Sequence, residues 1–333
     1  MGSSGGSKRV TLAQVAELAG VSVMTASYTY NQPERVSDQA RSRVLAAAAQ
    51  LGYPGPDPSA RSLRRGSTRT LGVVLGEHLS YAFDDPGAVS FLAGIAEVCA
   101  GRGYGMTILP ITGAADDVPR ITDAAVDGFI VWTTADDDPI LAAVQAMRRP
   151  AVVHGGPAVR GLGLVSIDNR AAARAVGALA FAGARRPAVV SQPLSRERVS
   201  TIGAGADITD VLFPVTRDRL EGYRQAAEAE RMAATLLASA EPPDAIAAMG
   251  DQLAAGVVRA AQAAGRIIPD ELAVTGWDDL AVAAQLGLTT VAQSLREQGA
   301  ACARAALGQE LNAHTASWSI VGRGSTRRSA ASR

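Results

Sequence analysis

From residue 71 onward, short apolar runs alternate with alanine-rich stretches of helical character, and this alternation limits the architecture more than any other feature of the chain. The runs lie at 71–75, 106–109, 128–132, 151–154, 164–167, 188–191, 245–249 and 272–275. Such a rhythm predicts βαβ units and parallel sheets. The runs are continuously apolar, so helices should cover both faces of each sheet. Eight strands are compatible with one sheet or two. Ligands of such sheets sit beyond the carboxyl ends of the strands, so the residues that follow each run are the ones placed for chemistry. They include Phe83 and Asp84 in Tyr81-Ala82-Phe83-Asp84-Asp85-Pro86, then Trp132-Thr133, His154-Gly155, Gly250-Asp251 and Trp277-Asp278-Asp279. Asp251 and Asp279 have the alternative role of capping the helices after them.

A different pattern precedes this body. Thr11-Leu12-Ala13-Gln14 has the form of a capping box, so a helix should start at Leu12, with Leu12, Val15, Ala16 and Ala19 on one apolar face and Gly20 at the turn. Ser22 is placed to cap a second helix. Ser37, ahead of Asp38, caps a third that runs to about Leu51, with Val44, Ala47, Ala48 and Leu51 inward. Two short helices joined by a glycine turn and buttressed by a third follow the helix-turn-helix plan, whose second helix enters the DNA major groove. Charge agrees with that plan. The chain is neutral overall, but up to Arg69 it carries nine Lys and Arg against four Asp and Glu, and beyond Arg69 it carries 23 against 28. Clustered cations at one end suit a polyanion bound there.

The head resembles that of the LacI family in Val10-Thr11-Leu12, Val15-Ala16, Ala19-Gly20-Val21-Ser22, Thr25, Ser27, Asn31, Arg35-Val36-Ser37 and Leu51-Gly52-Tyr53. Ala60-Arg61-Ser62-Leu63-Arg64-Arg65-Gly66 is similar to the hinge helix of that family. The resemblance implies DNA contacts from Thr11, Ser22, Val23, Met24, Thr25, Ser27, Tyr28, Asn31, Ala60, Arg61, Leu63 and Arg64. Leu63 matches the leucine that wedges into the minor groove, where an apolar side chain unstacks a base step while flanking arginines hold phosphates. It implies a two-lobed body like periplasmic sugar-binding proteins with a ligand in the cleft. Arg219, in Arg219-Leu220-Glu221-Gly222-Tyr223, and Asp278, in Gly276-Trp277-Asp278-Asp279, match the family's ligand-side residues. Phe83, Asp84, Trp132, His154, Asp251 and Trp277 complete the expected ligand set. A ring with a paired Arg and Asp suits a polyol, the ring covering the apolar sugar face and the charges meeting hydroxyls.

The expected organisation is therefore an all-α helix-turn-helix head at residues 8–53, a linker and hinge helix at 54–70, a first α/β lobe at 71–164 plus 291–316, and a second at 165–290 plus 317–325. The expected function is a sequence-specific transcriptional regulator, a repressor whose affinity for double-stranded operator DNA responds to a small carbohydrate. Three departures from the family pattern stand out. Tyr28 occupies a usual arginine position and cannot read guanine bidentately, which leaves apolar features such as thymine methyls, or the hinge and DNA shape, to set specificity. Gly250 replaces a side-chain donor. Residues 222–242 look like one helix leading directly into the next strand, which shortens the second lobe near 225–242 unless Val211 to Val215 pairs in place of the missing strand. A lobe so shortened makes a ligandless regulator the alternative.

Other classes find little support. Gly203-Ala204-Gly205 is a fragment of a phosphate loop without its third glycine, so a Rossmann-type enzyme is a weak rival. With three histidines and no recognisable nucleophile set, acid/base chemistry has few players. Cys99 and Cys302 read as buried thiols, and no metal or cofactor is implied. No signal core or membrane-length apolar run is seen, which predicts a cytoplasmic protein. Residues 325–333 read as a polar tail without leucine heptads, so the expected assembly is a homodimer.

Overall fold

The computed structural model describes residues 10–56, 66–76, 81–196, 210–234, 243–309 and 314–327. Ala60, Arg61, Leu63 and Arg64 of the hinge, and Gly203 to Gly205, lie outside the described residues. Two compact units result, divided between Thr68 and Arg69.

In the head, α1 (Leu12–Ala19), α2 (Val23–Asn31) and α3 (Asp38–Leu51) form where the caps predict. The Thr11–Gln14 capping box is closed on both sides, and Gly20 ends α1 at φ 62, the left-handed conformation that glycine adopts without a Cβ penalty. Ser22 and Ser37 each accept a backbone N–H at the start of the following helix. Val15, Ala16, Ala19, Ala26, Val44, Ala47 and Ala48 form the buried core of this unit, with Tyr30 edge-on to Tyr53 at its margin.

The body holds two sheets. The first contains β1 (Thr70–Leu75), β2 (Gly105–Pro110), β3 (Gly128–Trp132), β4 (Ala151–His154), β5 (Gly163–Ser166) and β10 (His314–Thr315), in the order β10-β5-β4-β3-β1-β2 and parallel throughout. The second contains β6 (Pro187–Val190), β7 (Ala245–Ala248), β8 (Ala273–Asp278), β9 (Thr289–Gln293) and β11 (Trp318–Val321), in the order β11-β9-β8-β7-β6, with only β11 antiparallel. Helices α4 (Tyr81–Asp84), α5 (Pro86–Gly101), α6 (Asp117–Thr122), α7 (Pro139–Ala146) and α12 (Leu295–Ala306) accompany the first sheet. Helices α8 (Asn169–Ala180), α9 (Pro214–Ala234), α10 (Asp251–Ala263) and α11 (Ala281–Leu286) accompany the second. The helices on both sheet faces explain the continuous apolar runs, since Leu71, Val73, Val74 and Leu75 are all fully buried.

Several expectations need correction. A lobe boundary at 164/165 would cut β5, and a return at 291 would cut β9; backbone pairing carries the first crossing past Ser166 and the return past Gln293. Val211 to Val215 forms no strand. Pro214 lacks the N–H a ladder requires and instead opens α9, so the segment turns toward the interior of the body. Among the described residues the second sheet is thus five-stranded. The final stretch is not all loose polar tail, because Ser325 and Thr326 are buried: Ser325 Oγ donates to Val274 O and accepts from Thr289 N, and Thr326 bonds the Thr289 hydroxyl. Cys99 and Cys302 are buried free thiols.

Candidate functional site

Beyond the carboxyl ends of the strands, residues of both lobes enclose a cavity of about 130 Å³. Trp132, His154 and Ser166 come from the first sheet, and Asp278 and Gln293 from the second, joined by Asp85, Thr133, Asn169, Gln192, Phe213, Val215, Thr216, Arg219 and Gln298. This is the position that parallel α/β topology dictates. Two residues here have left-handed backbone, Thr133 at φ 46 and Asp278 at φ 99. Such conformations are costly for non-glycine residues and persist where surrounding contacts fix them.

Arg219, on α9, is 8% exposed. Its Nε donates to Asn169 Oδ1 at 2.9 Å and its NH1 to Met249 O at 3.1 Å, while the guanidinium lies over the Trp277 ring. Trp277 itself is fully buried and is not part of the cavity wall, so it supports the arginine from beneath rather than offering a face to a ligand. Trp132 does line the cavity, stacked on Phe91 at 4.7 Å between centroids.

A directional chain of hydrogen bonds crosses the floor of the cleft. His154 Nε2 donates to Gln298 Oε1 at 2.9 Å, Gln298 Nε2 donates to Gln293 Oε1 at 3.1 Å, and Gln293 Nε2 donates to Asp278 Oδ1 at 2.7 Å. It links β4 of one lobe to β8 of the other. Burial lowers the His154 pKa to about 4, with the Arg219 charge acting in the same direction against the Gln298 hydrogen bond. The ring is therefore neutral near pH 7. Burial raises the Asp278 carboxyl, and Arg219 and Gln293 oppose that shift. Gln293 and Gln298 were missed in the sequence because amides near a strand end and inside a helix carry no motif.

Other expected ligand residues lie elsewhere. Phe83 and Asp84 are exposed on α4 and do not line the cavity; Asp85, one residue on, does. Asp251 is fully buried away from the cavity. Its Oδ2 accepts the Leu280 N–H at 2.7 Å and its Oδ1 the Thr290 hydroxyl at 2.8 Å, ties that hold α10, the start of α11 and β9 together. Only glycine fits at 276, where a Cβ would stand 2.1 Å from Asp251 Oδ1. Asp279 pairs with Arg323 at 2.7 Å.

At the mouth of the cleft the lobes meet through charge. Arg196 pairs with Asp137 at 2.9 Å and approaches Asp138 at 3.8 Å, and Arg217 pairs with Asp136 at 2.7 Å. Alongside, Gly155 lets the second lobe come close, since a Cβ there would lie 2.8 Å from a Val215 methyl.

In the head, the first turn of α2 exposes two apolar side chains, Val23 at 52% and Met24 at 64%, so Met24 does not belong to the core. Ser22 Oγ caps Thr25 N and bonds the Thr25 hydroxyl, Thr11 serves its capping box, and Asn31 Nδ2 donates to Ser27 O and Oγ. Tyr28 is half-buried under the Arg35 guanidinium, 5.4 Å from its ring centroid. Thr29 is turned away from any phosphate, because its buried hydroxyl donates to Thr25 O.

Comparison with known proteins agrees with both units. The model for bacterial regulatory proteins of the lacI family matches residues 11–55, and that for a periplasmic binding protein-like domain matches residues 176–326. An HTH-type transcriptional regulator of Mycobacterium tuberculosis is 35% identical over 88% of this chain and 89% of its own length. The crystal structure of a LacI family transcriptional regulator from Corynebacterium glutamicum is 27% identical, with a TM-score of 0.65 over 96% of this chain and all of that one. The lac repressor dimer, solved with operator and an anti-inducer, shares the fold at a TM-score of 0.70 and 22% identity, over 96% of this chain and 99% of that one. No helix among the described residues is long and apolar enough to cross a membrane. The chain belongs to the LacI family of transcriptional regulators.

Proposed function

We propose that this regulator is a cytoplasmic repressor that binds a pseudo-palindromic operator as a homodimer and changes its affinity when a small carbohydrate occupies the cleft. The reading is carried by one observation, the presence in a single chain of a helix-turn-helix head and a cavity walled by both lobes. The head at residues 8–53 reads the major groove through Val23, Met24, Thr25, Ser27 and Tyr28, and the hinge at 54–70 adds Leu63 between Arg61 and Arg64. In the cleft, Arg219, Asp278, Trp132 and His154 hold the ligand. The ligand acts only so far as it favours one degree of lobe closure over another, and closure sets how two hinges pair. The same fold in the lac repressor dimer holds operator and an anti-inducer, which supports this division of labour.

Fluorescence anisotropy with DNA from upstream of the gene tests the reading. Binding should be site-selective, fall steeply with salt and shift on adding the effector carbohydrate. Equal affinity for scrambled DNA would reject the operator, and an unchanged curve across a carbohydrate set would reject the effector.

A further inference from the structure

We propose that Asp85 determines specificity in the cleft: with Asp278 it forms a two-sided carboxylate clamp that selects an uncharged, hydroxyl-rich effector over its phosphorylated or acidic analogues. The proposal rests on the cleft being the effector site. Asp85 precedes α5, where its Oδ1 accepts the Ala88 N–H at 2.7 Å and Pro86 fixes the first helical position. Asp278 projects from the other lobe. Both carboxylates approach one point: a Cβ on Gly87 would stand 3.0 Å from Asp85 Oδ1 and 4.0 Å from Asp278 Oδ2. Asp278 Oδ1 is already taken by Gln293, so Oδ2 is the oxygen on the Asp85 side.

His154 packs against the same site. More than nine-tenths buried, it lines the same cavity, its Nε2 proton is committed to Gln298, and its Nδ1 has no partner among the described residues. A neutral imidazole with Nε2 protonated presents Nδ1 as a lone pair. The two carboxylates call for hydrogen donors, which hydroxyls supply.

Charge decides among molecules that bring donors. A phosphate or carboxylate entering here meets the Asp85 and Asp278 carboxyls in a poorly solvated space, and among the described lining residues Arg219 is the only Lys or Arg to offset them. A neutral polyol satisfies the acceptors and offends neither sign.

Calorimetric titration of the full chain with neutral pentoses, hexoses, hexitols and disaccharides, each beside its phosphate and uronate analogue, tests this on wild type and Asp85→Asn. Asparagine still offers Oδ1 to Ala88, so the helix cap survives, and an unchanged melting temperature without effector verifies that. A neutral member should bind best, and Asp85→Asn should weaken it about tenfold or more while narrowing its lead over the phosphate. A charged analogue that binds as tightly as its neutral parent, or an Asp85→Asn protein with unchanged affinity and ranking, overturns the clamp and leaves the cleft an effector site. Absence of binding across the whole set overturns the cleft reading and the clamp with it.

Discussion

The guanidinium carbon of Arg219 lies 4.0 Å above the centre of the Trp277 ring. Ring face, the Asn169 side-chain oxygen and the Met249 carbonyl together fix the arginine in the cleft wall, so the site is organised before any ligand arrives.

Arg219→Ala should therefore lower stability even without effector. It leaves two acceptors short of a donor and uncovers Trp277, a loss of about 3 kcal/mol by the worth of charged hydrogen bonds and a desolvated cation–π contact. Calorimetric melting should move down by several degrees. Arg219→Lys should recover part of this, since it restores charge but not the planar fork, and should not restore the effector response of operator binding. A melting point in the alanine variant equal to wild type would show that the arginine is not built into the wall.

Two buried groups should pull stability in opposite directions across mildly acidic pH. His154 has its pKa lowered from 6.5 to about 4, so as pH falls between those values the unfolded chain takes up a proton the folded one refuses, and stability is lost. Asp251 has its pKa raised from 3.8 to about 6, chiefly by burial, so over that range the folded chain protonates first and stability is gained as pH falls. Melting curves of His154→Gln and Asp251→Asn at about pH 7 and 4.5 separate the two terms. The histidine variant should lose less on acidification than wild type, and the aspartate variant more. Reversed signs would mean that these groups are not held as the structure has them.

How much of this could be read in the residues alone follows from the range of the forces involved. Strands and caps are local: Thr11-Leu12-Ala13-Gln14 closes its box using its own side chains, and the apolar runs at 71–75 and 151–154 are strands because both faces are covered. The cleft is not local. Asp85 rather than Asp84 lines it because Pro86 and the Ala88 N–H set where α5 begins, and Trp277 lies beneath Arg219 because β8 has helices on both sides. The Asp251 position, read as either ligand or cap, is decided by Leu280 and Thr290, 29 and 39 residues away. Gln293 and Gln298 acquire meaning only when the end of β9 and the first turn of α12 bring them between His154 and Asp278.

The ion pairs at the mouth, Arg196 with Asp137 and Arg217 with Asp136, should bias the lobes toward closure. Exposed pairs are worth about 0–1 kcal/mol each, so the two together shift the balance by at most about thirtyfold. Small-angle scattering of effector-free Arg196→Glu/Arg217→Glu protein at low salt should give a larger radius of gyration than wild type. Raising salt should expand wild type by screening the attraction and contract the variant by screening the new carboxylate repulsion. Equal radii in all four samples would remove the pairs from any role in closure.

Val23 and Met24 present exposed methyl and thioether groups on the first turn of α2, the helix proposed above to enter the major groove, and Tyr28 on the same helix cannot read guanine bidentately as an arginine would. Their chemistry matches the C5-methyl of thymine, the one apolar feature in the major groove. Met24→Ala should weaken the specific operator about tenfold with little change for random DNA and no change in salt slope, since no phosphate contact is removed. Replacing each operator thymine in turn by uracil, which deletes only the methyl, should reproduce the loss at one or two positions, and at those positions the alanine variant should be indifferent to the replacement. If every uracil substitution is silent in wild type, the apolar turn does not read thymine, and operator choice passes to the hinge and to DNA shape.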